Sequence, residues 1–220
     1  MGMRPSTADR QALARRLRVY VITDERDDLP DLLRVLAAAA QGGATAVQLR
    51  RKAQLGREFV TFARALRDFT REAGLLFFVN DRVDVAQIVD ADGVHVGQDD
   101  ISCRDARRLL GDRIIGVSAE TAEEALRAER DGADYLGVGA VYNTRSKADA
   151  GRAGLAGLAE IARLVRIPVV GIGGISPENA GPVLQAGAAG LAVISAVMDA
   201  PDPERATRRL VAVCREFAVR

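Results

Sequence analysis

Short apolar runs alternate along the chain with longer segments whose apolar residues recur at helical spacing. The runs are rich in valine and isoleucine and are apolar at almost every position. This pattern is typical of parallel strands covered by helices, because such strands are buried on both faces. The eight runs span residues 19–23, 44–49, 75–79, 93–96, 114–117, 135–139, 167–172 and 189–194.

The intervening segments each carry one apolar face, as amphipathic helices do. Leu32 and Leu36 belong to one such stripe, Phe59 and Phe62 to another, and residues 202–217 form the last. Eight strand–helix pairs in a chain of this length predict an α/β fold, a single-domain (β/α)₈ TIM barrel. The alternative is an open doubly wound sheet, which usually has a glycine-rich turn after its first strand. An acidic segment stands there instead.

The N-terminus differs from the rest of the chain. Residues 1–18 are rich in arginine, and we expect them to form a helical extension packed on a barrel domain of residues 19–220. The segment lacks the apolar centre of a secretory signal. No apolar run approaches the ~20 residues that span a bilayer.

Composition narrows the function classes. The chain has 31 basic and 30 acidic residues and a formal net charge of +1, which gives no general attraction to nucleic acid or membranes. Any site for an anionic partner must therefore be built locally. Cys103 and Cys214 are too few and too distant for a disulfide framework, so we expect a cytoplasmic location. The sequence leaves the oligomeric state open.

Catalytic groups of such barrels lie at the carboxyl ends of the strands. After the second run, Gln48, Arg50 and Lys52 share one side of the strand, whereas Arg51 points to the other. Three donors, two of them cationic, suit phosphate oxygens. The alternative is a solvated basic strand end. We expect substitution of Arg51 to have little effect on the site.

Carboxylates follow the next two runs. Asn80 and Asp81 directly follow the third run, and Asp99 and Asp100 come shortly after the fourth. Two carboxylates together with substrate phosphate oxygens and water are a common way to hold Mg²⁺. Each pair is equally suited to cap the following helix, an alternative that the sequence leaves open.

Two further strand ends suit an anion. The loop 142–147, with hydroxyls at Thr144 and Ser146 and a cation at Lys147, is a candidate lid. Gly174, after the seventh run, and Ile194 with Ser195, after the eighth, lie where barrels of this type often bind phosphate through backbone N–H groups. We expect a side chain at Gly174 to occupy the phosphate position. The alternative for the loop 142–147 is a simple polar loop, and the alternative for the segment at Gly174 is a tight turn without a ligand.

Two polar residues inside strands are harder to assign. His95 lies within the fourth run and Ser118 follows the fifth. A lone histidine at a crowded strand end is more often structural than catalytic, so we leave His95 out of the predicted site.

Taken together, these segments resemble the thiamine phosphate synthase family from about residue 19 to the C-terminus. The resemblance is carried, in order, by 48–52, 79–81, 93–100, 116–118, 144–147, 171–175 and 194–195. It implies a transferase that joins an aminopyrimidine pyrophosphate to a thiazole phosphate and releases pyrophosphate. Small phosphorylated molecules would then be the partners and Mg²⁺ the cofactor.

The resemblance also implies a role for each matching residue. Asp81 and Asp100 would ligate Mg²⁺, and Arg50, Lys52 and Lys147 would stabilise the departing pyrophosphate. The pyrimidine substrate would contact Gln48, Arg50, Lys52, Asn80, Ser118 and Lys147. The thiazole phosphate would contact Thr144, Ser146, Gly174, Ile194 and Ser195.

Two other functions fit the same barrel. A related thiazole tautomerase uses a histidine shortly after the Ser118 position, where this chain has Ala119 and Glu120. A non-catalytic sensor of phosphorylated ligands would need neither the carboxylate pair nor the lysine. The intact pair favours the synthase over both.

Overall fold

Eight parallel strands close into a barrel in the predicted order, each strand pairing with its neighbours in sequence and β1 pairing with β8. The computed structural model describes residues 6–52, 56–143 and 153–217. Every predicted run forms a strand. The strands are β1 (Val19–Ile22), β2 (Ala46–Leu49), β3 (Leu76–Asn80), β4 (Gly93–Val96), β5 (Ile114–Ala119), β6 (Tyr135–Val138), β7 (Val169–Ile172) and β8 (Gly190–Val193).

Helices surround the barrel and cover the outward faces of its strands. The predicted stripes are the buried ones, with Leu32 and Leu36 on one helix and Phe59 and Phe62 on the next. The helices are α1 (Thr7–Arg16), α2 (Leu29–Gln41), α3 (Arg57–Glu72), α4 (Val83–Ile88), α5 (Cys103–Leu110), α6 (Ala122–Asp131), α7 (Gly154–Leu164), α8 (Ala180–Gln185), α9 (Ser195–Met198) and α10 (Pro203–Glu216).

Successive side chains along each strand point alternately into two hydrophobic cores, one outside the barrel and one inside it. Outward side chains join the helices in one large cluster, whereas Tyr20, Phe78 and Tyr135 fill the barrel interior together with small and branched residues. The three aromatic rings meet with centroids 5.3 to 6.1 Å apart. This packed floor lies beneath the mouth formed by the carboxyl ends of the strands.

Helix α1 lies against the opposite end of the barrel. A capping box between Ser6 and Asp9 starts α1. Leu17, which ends this helix, is fully buried with the interior cluster, and Leu13 packs against the same cluster. In the three described stretches, no helix combines the length and the apolarity needed to cross a membrane.

Candidate active site

A cleft opens at the carboxyl ends of the strands, and it brings together seven of the residues predicted from sequence. Its floor is the aromatic cluster of the barrel interior, in which Tyr20 and Tyr135 line the cleft although both are almost completely buried. The predicted residues that line it are Gln48, Arg50, Asn80, Ser118, Gly174, Ile194 and Ser195. The cleft therefore collects side chains from the ends of several different strands, as a site for chemistry in this fold does.

The end of β2 supplies the cationic side of the cleft. Gln48 is buried and the Arg50 side chain is only 14% exposed. The Thr23 hydroxyl fixes this strand end, because it accepts from Arg50 N–H (2.9 Å) and donates to the Arg50 carbonyl (3.2 Å). Lys52 is exposed, but its charge acts on Asp81, as does that of Arg50. Both cations thus face the carboxylate side of the mouth.

Arg51 takes the opposite direction from Arg50 and is buried. Its side chain is 1% exposed and lies over the Phe62 ring, with the guanidinium carbon 4.2 Å from the ring centroid. The guanidinium also binds Asp27 and the Arg26 carbonyl. Arg51 therefore ties the loop after β1 to the outer helices and takes no part in the cleft.

Asp81 and Asp100 cap no helix. The N-cap of α4 is Arg82, with no side-chain cap, and the N-cap of α5 is Ser102, which accepts from the Asp105 N–H. The alternative of helix capping is thereby removed for both. Asp81 has φ of +60°, a backbone conformation that is strained for most residues and eased by a short polar side chain.

The two carboxyl groups face each other across the ends of β3 and β4. Burial, a hydrogen bond shared with Asp100 and the negative charge of Asp100 raise the pKa of Asp81 to about 6, against a smaller opposing effect of Lys52 and Arg50. Asp100 also accepts from the Gly97 N–H (2.7 Å), which holds it in place. Two opposed carboxylates of this kind suit a hard divalent cation.

A metal bound here would take only part of its ligands from the protein. Within the described residues, no group of three or more histidine, cysteine, aspartate or glutamate side chains is placed to hold a metal ion. Mg²⁺ commonly uses one or two carboxylates and completes its shell with water and substrate phosphate oxygens. The pair of Asp81 and Asp100 fits that requirement.

The far side of the cleft is built from backbone. Gly173 and Gly174 have φ of +101° and +63°, and Ser195 is the first residue of α9, so its N–H lies at a helix start. Both strand ends line the cleft. The arrangement suits a phosphate, whereas the β2 end offers charged side chains.

The expectation that a side chain at Gly174 would fill the phosphate position is wrong. A Cβ built there would lie 2.6 Å from the Asn143 carbonyl oxygen and 2.9 Å from the Tyr142 Cβ. The space beside Gly174 is taken by the start of the loop after β6. The Tyr142 hydroxyl holds that loop start by donating to the Asn179 carbonyl (2.9 Å).

His95, left out of the predicted site, lies in the wall of the cleft. Its Nε2 is 3.0 Å from the Ser118 Oγ, and its Nδ1 is 3.0 Å from the Tyr135 hydroxyl. Glu120 also lines the cleft. The signal that was available is the strand alternation that places His95 on the inward face of β4, level with Asn80 on β3. Thr144, Ser146 and Lys147 lie outside the described residues.

Comparison with known proteins shows the family of the chain. The family model described as thiamine monophosphate synthase matches residues 19–197. A thiamine-phosphate synthase of Moorella thermoacetica is 53% identical over 192 residues, covering 86% of this chain and 91% of the relative. One from Roseiflexus sp. is 55% identical over 198 residues, covering 89% and 84%.

A solved structure supports the same relationship. The thiamine phosphate pyrophosphorylase from Pyrococcus furiosus superposes with a TM-score of 0.86 at 46% sequence identity, covering 94% of this chain and all of that one. Sequence and structure thus agree over nearly the whole barrel. The chain belongs to the thiamine monophosphate synthase family.

Proposed function

We propose that the chain condenses an aminopyrimidine pyrophosphate with a thiazole phosphate, giving thiamine phosphate and pyrophosphate, with Mg²⁺ as cofactor. The observation that carries this proposal is the single cleft with two different anion-binding sides. Arg50 lines one side, and Lys52, Asp81 and Asp100 lie next to it outside the cleft lining, with the charges of Lys52 and Arg50 acting on Asp81; the glycine turn with Ser195 forms the other side. Family membership supports the same reaction.

The first anion side suits the pyrophosphate. When the carbon–oxygen bond of the pyrimidine substrate breaks, negative charge grows on the departing group, and Arg50 and Lys52 stabilise it. Asn80 adds a neutral donor in the lining of the cleft, and Gln48, which is level with Phe78 on β3, adds a second donor two residues deeper in the barrel. Mg²⁺ held by Asp81 and Asp100 would neutralise further charge on the pyrophosphate oxygens. Lys147 is assigned to the same task by the family resemblance.

The protein supplies no nucleophile in this scheme. The pyrimidine methylene left behind is a cation stabilised by its own ring, and the thiazole nitrogen attacks it. The residues of the second anion side, Gly174, Ile194 and Ser195, hold the thiazole phosphate, with Thr144 and Ser146 assigned to it by resemblance. Orientation of the two substrates and exclusion of water are therefore the main tasks of the cleft.

We also propose a cytoplasmic location. Cys103 and Cys214 are buried and unpaired, and burial raises the pKa of both thiols to about 11. They are structural residues that persist as thiols in a reducing compartment.

The decisive experiment measures pyrophosphate release with each substrate alone and with both. Release should require both substrates and a divalent metal, and Asp81→Ala and Asp100→Ala should each lower it at least about 100-fold. Asp99→Ala is the matched control, because Asp99 is exposed and adjacent to Asp100 but outside the pair. Release of pyrophosphate from the pyrimidine substrate in the absence of a metal would contradict the proposal. So would an enzyme whose sole activity is isomerisation of the thiazole.

A further inference from the structure

A continuous chain of hydrogen bonds crosses the barrel interior from Gln48 to Ser118. Gln48 Nε2 donates to the Tyr20 hydroxyl (2.7 Å), which lies 3.0 Å from the Tyr135 hydroxyl. The Tyr135 hydroxyl lies 3.0 Å from His95 Nδ1, and His95 Nε2 lies 3.0 Å from Ser118 Oγ. The chain thus joins two residues on opposite walls of the cleft through three rings beneath it.

The direction of the chain follows from counting hydrogens. Tyr20 and Tyr135 are almost completely buried, and burial raises the pKa of each hydroxyl well above its usual value, so both keep their protons. Tyr20 accepts from Gln48, so its own proton goes to Tyr135, the other partner that the structure gives it. Tyr135 must then donate to His95 Nδ1.

This direction of donation determines the tautomer of His95 and the hydrogen-bonding role of Ser118. An Nδ1 that accepts requires the neutral tautomer with hydrogen on Nε2, and that hydrogen points to Ser118 Oγ. The Ser118 hydroxyl, already accepting from His95, is left to donate into the cleft that it lines.

Two glycines show that the barrel is shaped around these rings. A Cβ at Gly116 would lie 2.1 Å from Tyr135 Cζ, and a Cβ at Gly137 would lie 2.9 Å from His95 Cε1. Neither glycine has a left-handed backbone angle that would explain why glycine is needed at its position. Their role is to make room for Tyr135 and His95 in the interior.

We infer that Tyr20, Tyr135 and His95 are positioning residues that fix the Nε2–H tautomer of His95 and orient Ser118 as a donor toward the aminopyrimidine ring. A ring nitrogen of the substrate is the acceptor that this donor suits. The importance of this orientation for turnover rests on the substrate contact of Ser118 proposed above. The inferred tautomer rests on the hydrogen bonds of the interior and does not depend on that substrate contact.

The first test needs no substrate. His95 is the sole histidine, so nitrogen-15 NMR of protein made without a histidine tag shows a single imidazole and reports its tautomer directly. The expected result is neutral His95 protonated on Nε2. Tyr135→Phe should abolish this tautomer preference. Tyr142→Phe removes a tyrosine hydroxyl that takes no part in the series of hydrogen bonds from Gln48 to Ser118, so it should leave the preference intact. An Nδ1–H tautomer in the wild type, or an unchanged tautomer in Tyr135→Phe, would overturn the inference.

The second test is a double-mutant cycle on steady-state kinetics. Tyr135→Phe and Ser118→Ala should each raise the KM for the pyrimidine substrate about tenfold, with little change for the thiazole phosphate, and the double variant should resemble either single one. Independent, multiplying effects would overturn the coupling between Tyr135 and Ser118. A Ser118→Ala enzyme with normal kinetics would refute the proposed substrate contact of Ser118, and the tautomer result would distinguish that failure from a wrong hydrogen-bond chain.

Discussion

Asp81 and Asp100 hold their carboxyl groups against each other at the mouth of the barrel, and this proximity helps to raise the pKa of Asp81 to about 6. Neither group caps a helix, and Asp81 adopts a positive φ in order to stand there. Two negative charges close together in a partly buried site destabilise the folded state unless a bound cation neutralises them. The pair is therefore explained by binding and not by stability.

Replacing Asp100 by Asn should stabilise the metal-free protein at alkaline pH. In the wild type, folded Asp81 keeps a proton up to about pH 6, whereas unfolded Asp81 releases it near pH 4. Stability therefore falls as the pH rises through this window and stays low above it. Since burial is the larger cause of the shift, removing the Asp100 charge should recover only about 1 kcal/mol at pH 8.

Urea unfolding in the presence of a chelator measures this effect. Comparison at about pH 8 and about pH 4 separates the charge from other consequences of the substitution, because at the lower pH folded wild-type Asp81 keeps its proton and the repulsion is absent. Asp99→Asn, beside the pair, should show no such pH dependence. Equal destabilisation of Asp100→Asn at both pH values would show that the Gly97 hydrogen bond outweighs the repulsion.

The strands were predictable because a single physical cause determines their pattern. Each is buried on both faces, so each forms an apolar run, and all eight runs became strands with shifts of only a few residues at their ends. The strand-end positions of Gln48, Arg50 and Asn80 followed from the same reasoning. Local pattern is sufficient wherever position along a strand decides the environment.

His95 shows where local pattern fails. Its partners Ser118 and Tyr135 lie 23 and 40 residues further along the chain, so nothing near His95 in sequence reveals them. Arg51 is a second case, since strand alternation predicts that it turns away from Arg50 but does not reveal Phe62 and Asp27 on the other side. Closure of the barrel creates both environments.

Changing Arg50 and Arg51 to Ala, one at a time, should separate an effect on substrate binding from an effect on the stability of the fold. Arg51→Ala removes a buried guanidinium with its ring contact and two hydrogen bonds, so it should lower the free energy of unfolding by about 2–4 kcal/mol. Arg50→Ala should change stability by less than about 1 kcal/mol but raise the KM for the pyrimidine substrate at least about tenfold.

Thermal unfolding and steady-state kinetics on both variants provide the comparison. Arg51→Lys is a useful control, because a lysine keeps the charge but not the planar fork that binds Asp27 and the Arg26 carbonyl, so it should recover only part of the stability. An Arg51→Ala protein as stable as the wild type, with weakened substrate binding, would mean that the two faces of β2 are exchanged in solution.

The Glu25 carboxylate lies beside the cationic side of the cleft, where we expect it to compete with an anionic ligand. Its carboxylate accepts from the Lys52 N–H (3.0 Å) and lies 3.5 Å from an Arg50 guanidinium nitrogen. Glu25→Gln should therefore tighten inhibition by pyrophosphate about two- to fivefold, a modest effect because the carboxylate is 43% exposed. Glu204→Gln, which alters an exposed ion pair on α10, is the control. Weaker inhibition in Glu25→Gln would show that Glu25 organises the site instead.

Gly174 is required both for its backbone angle and for its lack of a side chain. Gly174→Ala places a Cβ 2.6 Å from the Asn143 carbonyl oxygen, so the glycine turn and the start of the loop after β6 must move apart. The backbone groups of that turn face the side of the cleft proposed for the thiazole phosphate. The KM for the thiazole phosphate should therefore rise about 10- to 100-fold, while that for the pyrimidine substrate changes little.

Gly74→Ala supplies the matched control for this effect. Gly74 has φ of +70°, close to the +63° of Gly174, but a Cβ there meets nothing within 4 Å. Both variants should lose about 1–2 kcal/mol of stability from the left-handed backbone, and only Gly174→Ala should change the kinetics. Unchanged thiazole phosphate kinetics in Gly174→Ala, with impaired pyrimidine binding, would place the two anion sites the other way round.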